Sequence, residues 1–194
     1  MARPSPDALA VLSFWFDPAN APHWFAINAD FDATLRERFG QTLGLATEGK
    51  LHHWADTPQG WLALVVVLDQ FSRNLHRNDR RAWAQDLHAQ QLVVWGIEEG
   101  FDRQLPPMQR VFAYMPFEHA ENISLQQRCV AAYEALCADV PSEERHRYTG
   151  FLDYARRHEA VIARFGRFPH RNAVLGRICT PEEQAYLAEP GSRF

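Results

Sequence analysis

Lysine is nearly absent from this chain of 194 residues: Lys50 is the only one, and arginine supplies the rest of the 20 basic side chains. Arginine presents a rigid planar fork that grips carboxylate or phosphate at two points. Biased codon usage accounts for the excess as a whole equally well, so only the position of each arginine carries information. Cysteine is scarce too. Cys129, Cys137 and Cys179 make an odd count with no C-x-x-C spacing, which argues against a disulfide framework and a thiolate zinc site. No apolar run reaches the roughly 20 residues that span a bilayer. The opening "MARPSPDALAVLSFWF" lacks the apolar stretch and small-residue cleavage site of a signal peptide. These absences read as a cytoplasmic protein with no membrane partner. The net charge of −4 gives no overall attraction to nucleic acid. Phosphate-binding and nucleophile motifs are missing as well: there is no G-x-x-x-x-G-K-[ST], G-x-G-x-x-G or G-x-S-x-G. "RHEAVI" fails as a zinc-protease helix because Ile162 stands where the second histidine is needed.

What is present is helical. Apolar content of 46% and charged content of 23% are those of a globular chain, and the length suits one domain over 1–194. Nearly every segment repeats with helical rather than alternating period. Ser5 and Pro6 read as an N-cap and first helical residue, and Phe31, Leu35, Phe39 and Leu43 fall four apart on one stripe. "GWLALVVVLDQFSRNLHR" starts apolar on all sides, as a buried central helix does, and "RRAWAQDLHAQQLVVWGIEEG" reads as one long helix stopping at Gly100. The Pro-containing connector from Phe101 to Asn122 is expected to hold only short turns. Long helices follow over Ser124–Asp139, with Cys129 and Cys137 as core fillers, and over Ser142–Phe165. Thr180, Pro181 and Glu183 spell a capping box before a last helix.

Three polar clusters interrupt this pattern. In "RFGRFPHRN", Gly166 suits a left-handed helix end and Pro169 the start of a new short helix. A helix N-terminus flanked by Arg167, His170, Arg171 and Asn172 would favour an anion. Arginines tying a corner to loop carbonyls and carboxylates are an equal alternative. In "LDQFSRNLHR" the buried helix acquires Asp69, Gln70, Arg73, Asn74 and Arg77, which need partners on a central helix. In "YMPFEHAEN", His119 and Glu121 could act as a base and its orienting group; capping of the following helix is the plainer reading, ahead of a metal site. His158 could approach from the preceding helix, although packing explains most lone helical histidines.

Together these motifs resemble a mainly bacterial family, domain of unknown function 924. The resemblance runs through "FWF", "WF" at 24–25, "FD" at 31–32, "LALVVVLDQFSRN", "YMPFEHAE", "FGRFPHRN" and "LGRICTPEE". It implies an all-α, tetratricopeptide-like superhelix of antiparallel helix pairs and brings no activity with it. The family pattern maps onto Asp69, Gln70, Phe71, Arg73 and Asn74, onto His119, Glu121 and His158, and onto Gly166 through Asn172, Gly176 and Arg177. This chain departs from it at Ser72, usually proline, at His76, usually aromatic, and at Cys179, usually serine.

The leading expectation is a concave pocket for a small anionic ligand. Arg73, Arg167 and Arg171 would hold the anion and Asn74 and Asn172 would orient it, with Gln70, Arg77, His158 and Arg177 alongside. His119 or His170 would serve any acid/base step, oriented by Asp69 or Glu121. No cofactor and no metal are called for. The alternatives are a peptide-binding scaffold and a purely structural arginine network. A closed pocket with converging Arg73 and Arg171 would favour a small ligand, a long groove a peptide, and saturated salt bridges without a cavity a structural role. Homo-oligomer formation is left open.

Overall fold

The computed structural model describes residues 3–192, and among them every regular element is helical. The chain divides into two compact units, one of Met1–Arg77 with Arg81–Pro116 and one of Asn78–Arg80 with Phe117–Phe194.

The first unit is built around apolar side chains that its helices cannot hide alone. Helix α1 (Pro6–Trp15) begins at Pro6 as expected, although the Ser5 side chain makes no capping bond. Helix α2 (Ala29–Thr47) is capped by Asn28, which accepts the Phe31 N–H, and buries the stripe Phe31, Leu35, Phe39 and Leu43. Helix α3 (Pro58–Val66) starts at a Thr57 cap; from Trp61 to Val66 each residue is no more than 1% exposed, as an all-round apolar run requires. The ring of Trp15 packs on Phe31, Phe71 and Phe112, and Phe39 also packs on Phe71.

The central helix does not continue regularly. Val67–Phe71 forms a π-helical turn before the short α4 (Ser72–Leu75), a widening that sequence periodicity did not register. Two further expectations are corrected. The helix expected from Arg80 begins only at Asp86 as α5 (Asp86–Glu98), preceded by a 3-10 turn at Arg80–Trp83. In that turn the Ala82 carbonyl accepts from Arg73 Nη1 at 3.4 Å. The connector expected to hold short turns carries a twelve-residue helix, α6 (Pro107–Glu118), with Pro116 inside it near the C-terminal end, where it removes one helical N–H donor.

In the second unit α7 (Ile123–Asp139) and α8 (His146–Phe165) pack along each other as a hairpin. Cys129 and Cys137 are buried on α7, as expected. Helix α8 closes at Gly166 with φ +68°, the left-handed end anticipated for that glycine. A 3-10 turn at Pro169–Arg171 leads into α9 (Asn172–Leu175), and the Thr180–Glu183 capping box opens α10 (Pro181–Leu187). No helix is long and apolar enough to cross a membrane among the described residues.

Candidate functional site

The π turn of the first unit presents its polar residues inward. Asp69 is 1% exposed and Gln70 6% exposed. Gln70 Nε2 donates to Asp69 Oδ2 and lies 3.5 Å from Met115 Sδ. Arg73 Nη1 is 3.1 Å from Asp69 Oδ1, and both terminal nitrogens of the same guanidinium donate to Asp86 at 3.1 Å. The two carboxylates hold the Arg73 proton more tightly than usual despite burial. One turn further on, Asn74 Nδ2 donates to Asp32 Oδ1 at 2.8 Å, and Arg77 grips both oxygens of Asp32 through Nε and Nη2. The structure therefore gives Arg73, Asn74 and Arg77 carboxylate partners from their own unit. Asp32 and Asp86 were not singled out from sequence, being 42 and 13 residues from their partners without periodic relation.

The second unit gathers the remaining candidates around Phe168, which has no exposed surface. Its N–H donates to Glu121 Oε1 at 2.8 Å and its carbonyl accepts from Arg177 Nη2 at 3.2 Å. Arg177 in turn donates to both Glu121 oxygens, at 2.6 and 2.8 Å. Glu121 does not cap the following helix; Asn122 does. A second knot lies beside it. Arg167 donates to both oxygens of Glu183, at 2.6 and 2.8 Å, and Asn172 Nδ2 reaches the same carboxylate at 3.2 Å. These bonds hold the Glu183 carboxyl down at about 2, chiefly through Arg167. Glu183 was legible only as part of a capping box, since nothing in its spacing announced Arg167.

Three nitrogen-bearing side chains surround the Phe168 ring. Arg171, 5% exposed, places its guanidinium carbon 4.4 Å from the ring centroid. The His158 ring sits 5.4 Å away, tilted by 74°, and the His170 ring 5.6 Å away, tilted by 36°. His119 follows α6 directly and lies within electrostatic reach of both histidines. His158 is buried, which pushes its pKa down to about 3 against the opposing pull of the Tyr154 carbonyl; the Arg171 charge acts in the same direction as burial. His170 falls to about 4, from burial first and Arg171 second, with Glu121 opposing. Both imidazoles are neutral at pH 7. His158 Nδ1 lies 3.0 Å from the Tyr154 carbonyl, so its proton sits on that nitrogen. Glu118 Oε1 is 3.7 Å from the same atom, too far for a hydrogen bond and facing an uncharged ring.

A cavity of about 290 Å³ in this unit is lined by Arg157, Val161, Tyr186 and Glu189 among others, and by none of the site residues expected from sequence. No group of three or more histidines, cysteines and carboxylates gathers to hold a metal among the described residues.

An all-helical protein with a partly buried arginine–histidine–glutamate cluster in its second unit is what these observations define. The chain belongs to the family described as bacterial proteins of unknown function, domain of unknown function 924, whose pattern it matches over residues 11–191. It is similar to a solved protein of unknown function from Agrobacterium tumefaciens, at 35% identity and a TM-score of 0.83 over 93% of this chain and 96% of that one. No curated protein matches it.

Proposed function

We propose that the second unit binds a small anion, a carboxylate or a phosphate, beside Phe168, with Arg171 as its principal cation and His119 and His170 as neighbouring donors. The observation that carries this reading is the grouping of the Arg171 guanidinium with the neutral His158 and His170 imidazoles around the buried Phe168 ring, with His119 within electrostatic reach of both histidines. Positive charge there already works against protonating the histidines, so a negative ligand would be favoured by the same field. Arg167, Asn172 and Arg177 then act by fixing the loop through Glu183 and Glu121 rather than by touching the ligand. Any acid/base step falls to His119 or His170. At about 4, His170 is a weak base, and the ligand's own charge would raise it toward a useful range.

The second reading is a tetratricopeptide-like superhelix of antiparallel helix pairs that binds a peptide, with the arginine cluster structural. It is favoured by the two-point pairing of Arg73, Arg77, Arg167 and Arg177 with carboxylates and by the second unit's cavity being lined by none of the expected site residues, the pattern a structural network would give. Thermal unfolding of wild type and Arg171→Ala against acetate, succinate, citrate and inorganic phosphate separates the two. A ligand at about 100 times its Kd adds about 2.7 kcal/mol to the folded state. Stabilisation of wild type but not of Arg171→Ala supports anion binding. A lower melting temperature for Arg171→Ala, with no response of either protein to any anion, overturns it in favour of a structural role.

A further inference from the structure

Away from the Phe168 cluster, the first unit brings two histidines from different elements into contact. His52 opens the 3-10 turn His52–Asp56, and His88 lies in the first turn of α5. Their ring centroids are 5.1 Å apart with the planes at 47°. The chain makes room for this arrangement at Gly49, whose φ is +74°: a Cβ there would stand 3.1 Å from His52 Nε2 and 3.3 Å from Cδ2. His52 is exposed and His88 half-buried, so both rings are open to solvent on one side.

We propose that His52 and His88 form a two-histidine site for a borderline divalent cation of the Zn²⁺, Ni²⁺ and Cu²⁺ class, with water completing the coordination shell. Imidazole is the ligand such ions prefer. At a metal–nitrogen distance of about 2.0–2.1 Å each ring centroid lies roughly 3.2 Å from the ion, and a near-tetrahedral angle then separates the centroids by about 5 Å. The observed 5.1 Å matches that separation, as it matches an ordinary contact between two rings, so uptake of the ion itself decides. Without a metal, two neutral imidazoles in contact make an ordinary ring pair, and they repel when both are protonated. With only two protein ligands the site is open and exchangeable, unlike a closed structural zinc centre. The ion would staple the 3-10 turn to α5.

The test uses the full chain, free of any histidine tag, titrated with Zn²⁺ by calorimetry. One ion is expected per chain, with affinity lowered about tenfold or more in His52→Ala and again in His88→Ala, and unchanged in His53→Ala. Substoichiometric Cu²⁺ should broaden the ring-proton resonances of His52 and His88 before those of other histidines, a readout that needs no variant. Failure of wild type to take up Zn²⁺ at up to about 1 mM overturns the proposal. So does loss of affinity in only one of the two variants, or binding that survives in the double variant.

Discussion

Glu183 shows how much one side chain can organise. It is 2% exposed and accepts from Arg167, Asn172 and the Thr180 N–H, while its own N–H is capped by the Thr180 hydroxyl. Thr180→Ala should lose the cap alone and cost about 1 kcal/mol in urea unfolding. Glu183→Gln keeps the shape but removes the charge that Arg167 faces, so it should destabilise the protein more than Thr180→Ala does. The reverse order would mean that the cap, not the ion pair, holds this corner. The box was legible because threonine, proline and glutamate stand at fixed local offsets. Its partner was not, because Arg167 lies 16 residues earlier, across α9 and the left-handed Gly176 that closes it, which break any periodic relation.

At the scale of elements, local periodicity revealed which faces are buried but not where a helix changes its winding. The stripe from Phe31 to Leu43 and the apolar run at 61–66 are both buried as their spacing demands. The π turn at Val67–Phe71 is different: polar residues enter the apolar run there at Asp69 and Gln70, but residue type does not encode the change of winding. Ser72, at its end, has a buried hydroxyl with no hydrogen-bond partner. Ser72→Ala removes that unsatisfied group and raises helix propensity, and should stabilise the protein by up to about 1 kcal/mol. A loss of stability would show that the hydroxyl matters to the turn. In α5, Gly96 is required by close approach, since a Cβ there would fall 2.2 Å from Trp61. Gly96→Ala should therefore cost about 1–3 kcal/mol by overpacking, measured by the shift in urea midpoint at constant slope. The broken start of α5 was illegible for a third reason. The Ala82 carbonyl there meets Arg73, nine residues earlier, and such a contact leaves no trace in spacing.

For the molecule as a whole, acid should act in two stages. His170 and His158 take up protons near pH 6.5 when unfolded but only near 4 and 3 when folded. Protons therefore favour the unfolded chain through that interval, and stability falls as pH drops from 6.5 toward 4, by on the order of a few kcal/mol. Glu121 and Glu183 are both held below the usual carboxylate range, so their contribution is full above about 4.5 and is lost below it, that of Glu183 as pH falls toward about 2. Urea unfolding at stepped pH should resolve both stages, and His170→Gln should shrink the upper one; an unchanged upper stage would place its origin elsewhere. The Glu121–Arg177 pair carries one more consequence. Phe168 lies outside any helix, yet its amide hydrogen points at a carboxylate instead of water. In deuterated solvent that hydrogen should exchange as slowly as those of a folded helix, and should be released in Glu121→Ala. A single amide in a loop thus becomes a clock for how often an ion pair opens.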